Sequence, residues 1–245
     1  MRVRSIASIT LVTPSIELIR DFYVDHLALP FSVEHPGLLS LYGSDVTLNL
    51  LAAPEGGERL AGRTTGMTLR TRAAGDLAQL VDRLRARRLG VDSFEMGVTW
   101  GGARVVVRDP AGNRFALWEA PNHRGDLHLF DGPSHVAVRV KNLRQALDFY
   151  VGVLELPLID QIDAQTASFF ADTTNLIVTS GTGTPCPPIT GETGICLSVE
   201  GMESYLSMLE GKRLSVTRRP PFGGQMLASV RDPDGNEFML YGLVD

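Results

Sequence analysis

The sequence contains one ordered set of motifs twice, and this duplication limits the fold more than any other feature. Phe22-Tyr23 recurs as Phe149-Tyr150, and Leu29-Pro30 recurs as Leu156-Pro157. Near the end of each half stands an Asp-Pro-x-Gly-Asn turn, at residues 109–113 and 232–236. Several matched positions in one order indicate an internal repeat, which has to be recognised before any fold is assigned.

The repeat predicts two domains, residues 1–121 and 134–245, joined by a linker at 122–133 that is rich in turn-forming residues. In the first half, β-branched and alternating stretches predict strands at 6–12, 38–42, 46–51, 67–71, 103–107 and 114–118. An amphipathic helix opened by Pro14-Ser15 follows the first strand, and a second helix is predicted at 76–89. Helices at 142–154 and 202–212 repeat this order. The chain is therefore predicted to be an α+β protein of four βαβββ-like units.

Composition narrows the class of protein without indicating its chemistry. Of the 245 residues, 44% are hydrophobic and 21% are charged, which is typical of a globular protein. No apolar run reaches the roughly 18 residues that span a bilayer. A net charge of −5 argues against general binding to nucleic acid or anionic membranes. Cys186 and Cys196 form no CxxC pair, and with no signal peptide recognised the sequence predicts a reduced, cytoplasmic protein.

Residues 135–150 join a strand that begins at a histidine to a helix that carries Phe149-Tyr150 late in its length, and an Asp-Pro-x-Gly-Asn turn closes both repeats. This combination resembles the vicinal oxygen chelate superfamily, which includes glyoxalase I, the bleomycin- and fosfomycin-resistance proteins and the extradiol dioxygenases. The resemblance implies two tandem glyoxalase-like domains, in each of which two βαβββ units form a curved, mixed, eight-stranded sheet, or cup. The sequence leaves open whether the units pair within the chain or across a homodimer. This fold hosts unrelated activities, so function has to be argued from the site.

Members of that superfamily hold a divalent metal with three or four ligands, mostly His and Glu. Carried over to this sequence, the ligand positions are Ser8, Asn49, Met67 and Ala116 in the first half and His135, Ile177, Ile195 and Met239 in the second. Of these only His135 is a usual ligand, whereas a catalytic metal generally needs three. Glu237 lies two residues before Met239 on the same strand face and would raise the count to two. We therefore expect no metal cofactor; the alternative is a divalent Fe, Mn, Ni or Zn ion held by His135 with Glu237.

Strand alternation predicts which side chains line the two cups. The candidate ligand-binding residues are Ser8, Asn49 and Trp118 in the first cup and His135, Arg139, Glu237 and Tyr241 in the second. Also predicted to face inward are Met67, Leu69, Ile195 and Leu197. A few polar groups in an apolar concavity with an aromatic wall are typical of a ligand site. The alternatives are that both aromatic rings only fill space, that His135 is hydrogen-bonded and inert, and that Arg139 pairs with Glu237.

Two functions from different classes follow. The favoured hypothesis is a metal-free binding protein that sequesters or recognises a small, partly aromatic organic molecule. The alternative is an enzyme: a metal-dependent lyase, isomerase or extradiol-type dioxygenase, or a cofactor-free catalyst that uses His135 as a general acid or base. Neither hypothesis has nucleic acid or a membrane as its partner, and the sequence does not indicate which molecule is bound.

Overall fold

The computed structural model describes residues 2–42, 46–53, 63–71, 76–96, 102–119, 130–170, 174–181, 191–220 and 224–243. These residues form four successive βαβββ units. The first unit contains β1 (Arg2–Thr13), α1 (Ile16–Asp21), β2 (Phe31–His35), β3 (Leu38–Tyr42) and β4 (Thr47–Ala52). The second contains β5 (Thr64–Thr71), α2 (Asp76–Ala86), β6 (Gly90–Met96), β7 (Ala103–Arg108) and β8 (Arg114–Glu119). The third contains β9 (Phe130–Arg139), α3 (Leu143–Leu147), β10 (Leu158–Asp163), β11 (Thr166–Phe169) and β12 (Asn175–Thr179). The fourth contains β13 (Glu192–Glu200), α4 (Met202–Gly211), β14 (Val216–Arg218), β15 (Gln225–Arg231) and β16 (Glu237–Leu243).

The predicted α+β class and the four βαβββ units are confirmed, whereas two strands of the first half were not predicted. β2 and β6 each form the outer edge of a sheet, and β2 is exposed at every position. β2 thus lacks the alternation of buried and exposed residues on which strand prediction depends. β9 begins at Phe130, so the last four residues of the predicted linker are strand, and residues 122–129 lie outside the described ranges. None of the described helices is long and apolar enough to cross a membrane.

The strands form two mixed eight-stranded sheets, and each sheet takes one unit from each half of the sequence. Sheet A has the order β14-β15-β16-β13-β1-β4-β3-β2, which joins the first unit to the fourth. Sheet B has the order β10-β11-β12-β9-β5-β8-β7-β6, which joins the second unit to the third. At the two centres, β1 runs antiparallel to β13 and β5 runs antiparallel to β9. The units thus pair within one chain. The expectation of two domains implied that each sheet would come from a single half of the sequence, whereas each sheet takes one unit from each half. Because the units are repeats, each offers the same kind of strand edge. The sequence therefore does not distinguish pairing of units within one half from pairing of units between the halves.

The two signature motifs of each repeat are hydrogen-bonded to each other. The Tyr23 hydroxyl donates to Asp109 Oδ2 at 2.9 Å, and Asp109 also accepts the backbone and side-chain amides of Asn113 at 2.8 and 2.9 Å. Burial raises the pKa of both Asp109 and Tyr23. The equivalent bonds of the second half join Tyr150, Asp232 and Asn236. The first helix of each half is therefore tied to the last turn of the same half, although the strands pair between halves.

α1 and α3 begin at capping side chains and continue into π-helical turns. Ser15 Oγ and Asn142 Oδ1 each accept a backbone N–H of the first turn at 3.1 Å. The π-helical segments Phe22–His26 and Asp148–Val153 carry the Phe-Tyr pairs into the main hydrophobic core. This core lies between the helices and one face of each sheet. We call the opposite face of each sheet its open face.

Candidate ligand-binding site

β5 and β13 each contain a β-bulge at a Thr-Gly pair, and the bulges decide which side chains reach the open faces. Gly66 and Gly194 both have φ of 69°, in the left-handed region that glycine adopts without strain. The hydroxyls of Thr65 and Thr193 accept the backbone N–H two residues further on, at 3.2 and 3.1 Å. Strand register shifts across both bulges. The alternation of side chains is therefore reset at these points.

The reset corrects four of the predicted inward-facing residues. Buried on the core side instead of lining the cups are Met67, Leu69, Ile195 and Leu197. Thr68 and Arg70 take the open face of sheet B, and Cys196 takes the open face of sheet A. The polarity pattern carries the signal, since apolar Met67 and Leu69 alternate with polar Thr68 and Arg70. Carrying over ligand positions from the family, without this pattern, placed the wrong residues inward.

Side chains on the open face of sheet B form two adjacent rows, because directly opposed residues on neighbouring strands share a face. What we call the central row runs from β12 to β7 through Asn175, His135, Thr68, Ala116 and Val106. What we call the arginine row lies two residues further along the strands and consists of Arg70, Trp118 and Arg104. Arg104 was not predicted, because its place opposite Trp118 follows only from the pairing of β7 with β8.

His135 lies in the central row and is only 6% exposed. Ser134 Oγ lies 2.9 Å from its Nδ1 and also donates to Thr68 O at 3.3 Å, which orients the ring. The Trp118 ring packs edge-to-face against the imidazole, with 5.4 Å between ring centroids. Burial lowers the pKa of His135 to about 4, and the positive charge of Arg70 lowers it further in the same direction. The imidazole is therefore neutral at physiological pH and acts as a hydrogen-bonding group.

Two buried oxygen atoms of the central row have no hydrogen-bond partner among the described residues. They are Thr68 Oγ1 and Asn175 Oδ1, on the strands either side of His135. Buried polar atoms are nearly always paired, because an unpaired one costs about 1–3 kcal/mol. Beside them a small apolar patch, separate from the main core, is formed by Ala116, Ala137 and Ile177. Unused hydrogen-bonding atoms around an apolar patch are the elements from which ligand sites are built.

The open face of sheet A holds a cavity of about 520 Å³, whose lining includes Ser8, Asn49, Cys196, Glu237 and Met239. Asn49 accepts a hydrogen bond from Ser40 at 2.8 Å. Arg231 binds Glu237 at 2.7 Å and lowers the pKa of its carboxyl group. Burial raises the pKa of the free Cys196 thiol to about 11, so the thiol is protonated. Asn49 and Glu237 thus each have a hydrogen-bond partner within the protein. In sheet B, by contrast, Thr68 Oγ1 and Asn175 Oδ1 have none among the described residues.

The structure divides the predicted site residues between the sheets differently from the prediction. On the open face of sheet A lie Ser8, Asn49, Glu237 and Tyr241. On that of sheet B lie Trp118, His135 and Arg139. The predicted group of His135, Arg139 and Glu237 does not form, because Glu237 belongs to the other sheet and binds Arg231 instead of Arg139. Trp118 and His135, predicted for different cups, are in contact.

The residues present do not fit a three-ligand site for a hard divalent metal. With the bulges included, the equivalent positions are His135, Ile177, Thr68 and Ala116 in sheet B and Ser8, Asn49, Cys196 and Met239 in sheet A. Neither set contains a second His or a Glu, the donors such ions generally use. The alternative pair of His135 with Glu237 does not form either, since the two lie in different sheets. Within the described ranges no three His, Cys, Asp or Glu side chains are grouped as metal ligands.

Two repeats of paired βαβββ units around mixed eight-stranded sheets define the class of protein. A family model described as Glyoxalase/Bleomycin resistance protein/Dioxygenase superfamily matches residues 5–117 and 132–240. The chain therefore belongs to this superfamily, and the resemblance drawn from the sequence motifs is confirmed.

Two solved structures share this fold over most of their length. Glyoxalase I from Zea mays is 16% identical, with a TM-score of 0.68 over 97% of this chain and 92% of its own. A Bacillus subtilis protein provisionally described as a dioxygenase is 14% identical, with a TM-score of 0.66 over 100% of this chain and 86% of its own. At these identities the likeness shows the fold alone. A comparison with curated protein sequences gave no match.

Proposed function

We propose that the protein binds a small, partly aromatic organic molecule on the open face of sheet B, without a resident metal. The observation that carries this proposal is the pair of unpartnered oxygen atoms, Thr68 Oγ1 and Asn175 Oδ1, on either side of neutral His135. A bound molecule that hydrogen-bonds to them offsets the cost that the free protein bears. The Trp118 ring at the edge of the same face supplies the aromatic contact.

Sheet B is favoured over sheet A because its polar side chains include hydrogen-bonding atoms without a partner among the described residues. The sheet A cavity is large enough for a ligand, since such sites generally occupy about 300–1,000 Å³. Its Asn49 and Glu237 side chains are, however, already paired with Ser40 and Arg231. In sheet B the hydrogen-bonding atoms, the aromatic ring and the apolar patch lie on one face, in the central row and the rows on either side of it.

The test uses Thr68→Val, which replaces the unpartnered hydroxyl with a methyl group of the same shape. In the free protein we expect the free energy of unfolding to rise by about 1 kcal/mol, because an unsatisfied buried group is removed. Binding of one- and two-ring aromatic compounds, measured by saturation-transfer NMR, is expected to weaken in Thr68→Val and to be lost in Trp118→Ala. A gain in stability with a loss of binding is the mark of a group kept for a ligand.

Thr193→Val is the matched control, because its hydroxyl is bonded to Glu237 O and Ile195 N on the equivalent strand of sheet A. This variant should lose about 1 kcal/mol of stability and bind the compounds as the parent does. Aromatic compounds that bind Trp118→Ala and the parent equally would contradict the proposed place of binding. Stoichiometric Fe, Mn, Ni or Zn in the purified protein would contradict the metal-free part of the proposal.

The second candidate function is a cofactor-free reaction on the bound molecule, with His135 as general base. The observation in its favour is that the imidazole is neutral at physiological pH and is held by Ser134 beside the apolar patch. Turnover that disappears in His135→Gln while binding persists would establish it.

A further inference from the structure

The arginine row indicates the chemical class of the ligand, and this inference rests on the proposed function. We infer that the molecule bound on sheet B is an aromatic acid. Its ring packs over Ala116 beside Trp118, its acidic group meets Arg70 and Arg104, and a hydroxyl or amine on it donates to Asn175 or Thr68.

The first argument is the placement of the two guanidinium groups. Arg70 on β5 and Arg104 on β7 are directly opposite Trp118 on β8, one on each side. All three are half-buried and lie on the open face that also carries His135. Both arginines also interact with other parts of the protein, which limits their freedom before a ligand arrives. The Trp118 ring can pack against a planar aromatic ligand. The two guanidinium groups beside it can bind the acidic group of that ligand through charge-assisted hydrogen bonds.

The second argument is the electrostatic effect of Arg70 at His135, in the centre of the site. The positive charge of Arg70 reaches His135 and, after burial, helps to lower its pKa. The imidazole is consequently neutral, so it neither repels nor neutralises the arginines. A positive field with low-dielectric apolar walls favours a negatively charged group.

The third argument is the spacing of the two kinds of polar group. Thr68 and Arg70 are two residues apart on one strand, which places them about 7 Å apart along the sheet. One substituted aromatic ring spans this distance, with an acid at one end and a hydrogen-bond donor at the other. Asn175 Oδ1 can only accept, so the group that meets it has to be a donor. In the central row, two residues before Trp118 on β8, the short side chain of Ala116 leaves room for a flat ring.

Sheet A provides an internal comparison for the arginine row. The equivalent three positions there are Leu227 on β15, Tyr241 on β16 and Ser198 on β13. The aromatic residue is retained, but both arginines are replaced by uncharged side chains. At these three positions the two open faces thus share an aromatic residue and differ in charge, so the pair of arginines beside the aromatic ring distinguishes sheet B from sheet A.

The experiment compares acids with amides of the same shape by titration calorimetry: para-hydroxybenzoate with para-hydroxybenzamide, and hydroxynaphthoate with hydroxynaphthamide. We expect each acid to bind at least about tenfold more tightly than its amide, as charge-assisted hydrogen bonds are about twice as strong as neutral ones. Arg70→Gln and Arg104→Gln should each reduce the affinity for the acid to near that of the amide and leave the affinity for the amide unchanged. Retained amide binding also shows that the variant is folded.

Arg85→Gln on the exposed side of α2 is the control, since it makes the same change in net charge away from the open face of sheet B. It should leave the affinities for both members of each pair unchanged. Equal binding of acid and amide, or an equal loss in Arg85→Gln and Arg70→Gln, would overturn the inference and leave the proposed function in place. If no acid or amide binds the parent protein, the proposed function itself fails.

Discussion

His135 becomes harder to protonate when the chain folds, because burial and Arg70 both disfavour the imidazolium. Its pKa falls from 6.5 to about 4. Between these two values the unfolded chain binds more protons than the folded protein, so the free energy of unfolding rises with pH. The stabilising contribution is complete above pH 6.5 and is lost as the pH falls towards about 4.

This difference predicts how the stability of His135→Gln depends on pH. The parent protein should lose about 3 kcal/mol more than the variant between pH 7 and pH 4, which is most of the effect of the pKa shift. Urea unfolding at several pH values measures the difference. His35→Gln, a substitution at an exposed histidine, controls for the loss of a surface imidazole. Parallel pH profiles for the parent and His135→Gln would show that His135 is not buried as described.

At the scale of single residues, the sequence indicates which side chains are unusual but not which ones meet. His135 is recognisable because it is the one imidazole at a family ligand position. Trp118 follows from strand alternation at the end of the first repeat. Their contact was not predictable, because the two lie in different sequence halves and meet only through the pairing of β5 with β9. Thr68 was missed because its importance lies in an absent hydrogen bond, which no sequence pattern records.

Among the strands, the bulges in β5 and β13 determine which side chains face the ligand and which face the core. The bulge in β13 depends on Gly194, which has φ of 69° and lies directly over β1. A Cβ atom at this position would lie 2.2 Å from Thr10 O, far inside contact distance with backbone that has little freedom to move. Glycine is therefore required here for two independent reasons, its dihedral angle and the space available.

We predict that Gly194→Ala destabilises the protein by at least about 2 kcal/mol, the combined cost of a left-handed alanine and of moving β1. Chemical unfolding of parent and variant measures the change. Gly152→Ala is the matched control, because a Cβ atom there meets nothing within 4 Å. Its stability should stay within about 0.5 kcal/mol of the parent. Equal stabilities for the two alanine variants would contradict the described bulge.

The secondary structure that the sequence predicts best is that with a strong internal pattern. The central strands and the helices follow from hydrophobic periodicity, since one of their faces meets the core. The edge strands β2 and β6 were missed, and β2, which is exposed at every position, lacks that contrast. Bulges are harder still, because a single Thr-Gly pair inside a strand is compatible with several backbone paths until a neighbouring strand selects one.

In the whole molecule, the two sequence halves depend on each other for their central strand neighbours. β1 in the first half is paired with β13 in the second, and β5 with β9. A half expressed alone leaves both of these strand edges open, together with the apolar side chains beside them. The bonds from Tyr23 to Asp109 and from Tyr150 to Asp232 lie within one half and do not replace the missing strands.

We therefore predict that residues 1–121 and residues 134–245, expressed separately, do not form stable folded monomers. Mixed together, they should associate into a one-to-one complex with the circular dichroism spectrum of the intact chain. Size-exclusion chromatography with light scattering measures the masses, and thermal unfolding measures cooperativity. Either half could also pair with a second copy of itself, since the units are repeats. A cooperatively folded monomer of one half would contradict the described pairing.

The pairing of strands between the two halves also affects whether the halves of the chain can be joined in the opposite order. β1 begins at Arg2 beside Glu200 on β13, and β16 runs parallel to β13 with Tyr241 opposite Ser198. The first and last strands thus end on the same side of sheet A with one strand between them, about 10 Å apart. A short peptide can join these ends at little entropic cost. A circularly permuted gene that starts at Phe130 and stops at Glu119 would then encode the same two sheets, so the strand pairing does not depend on which half comes first in the chain.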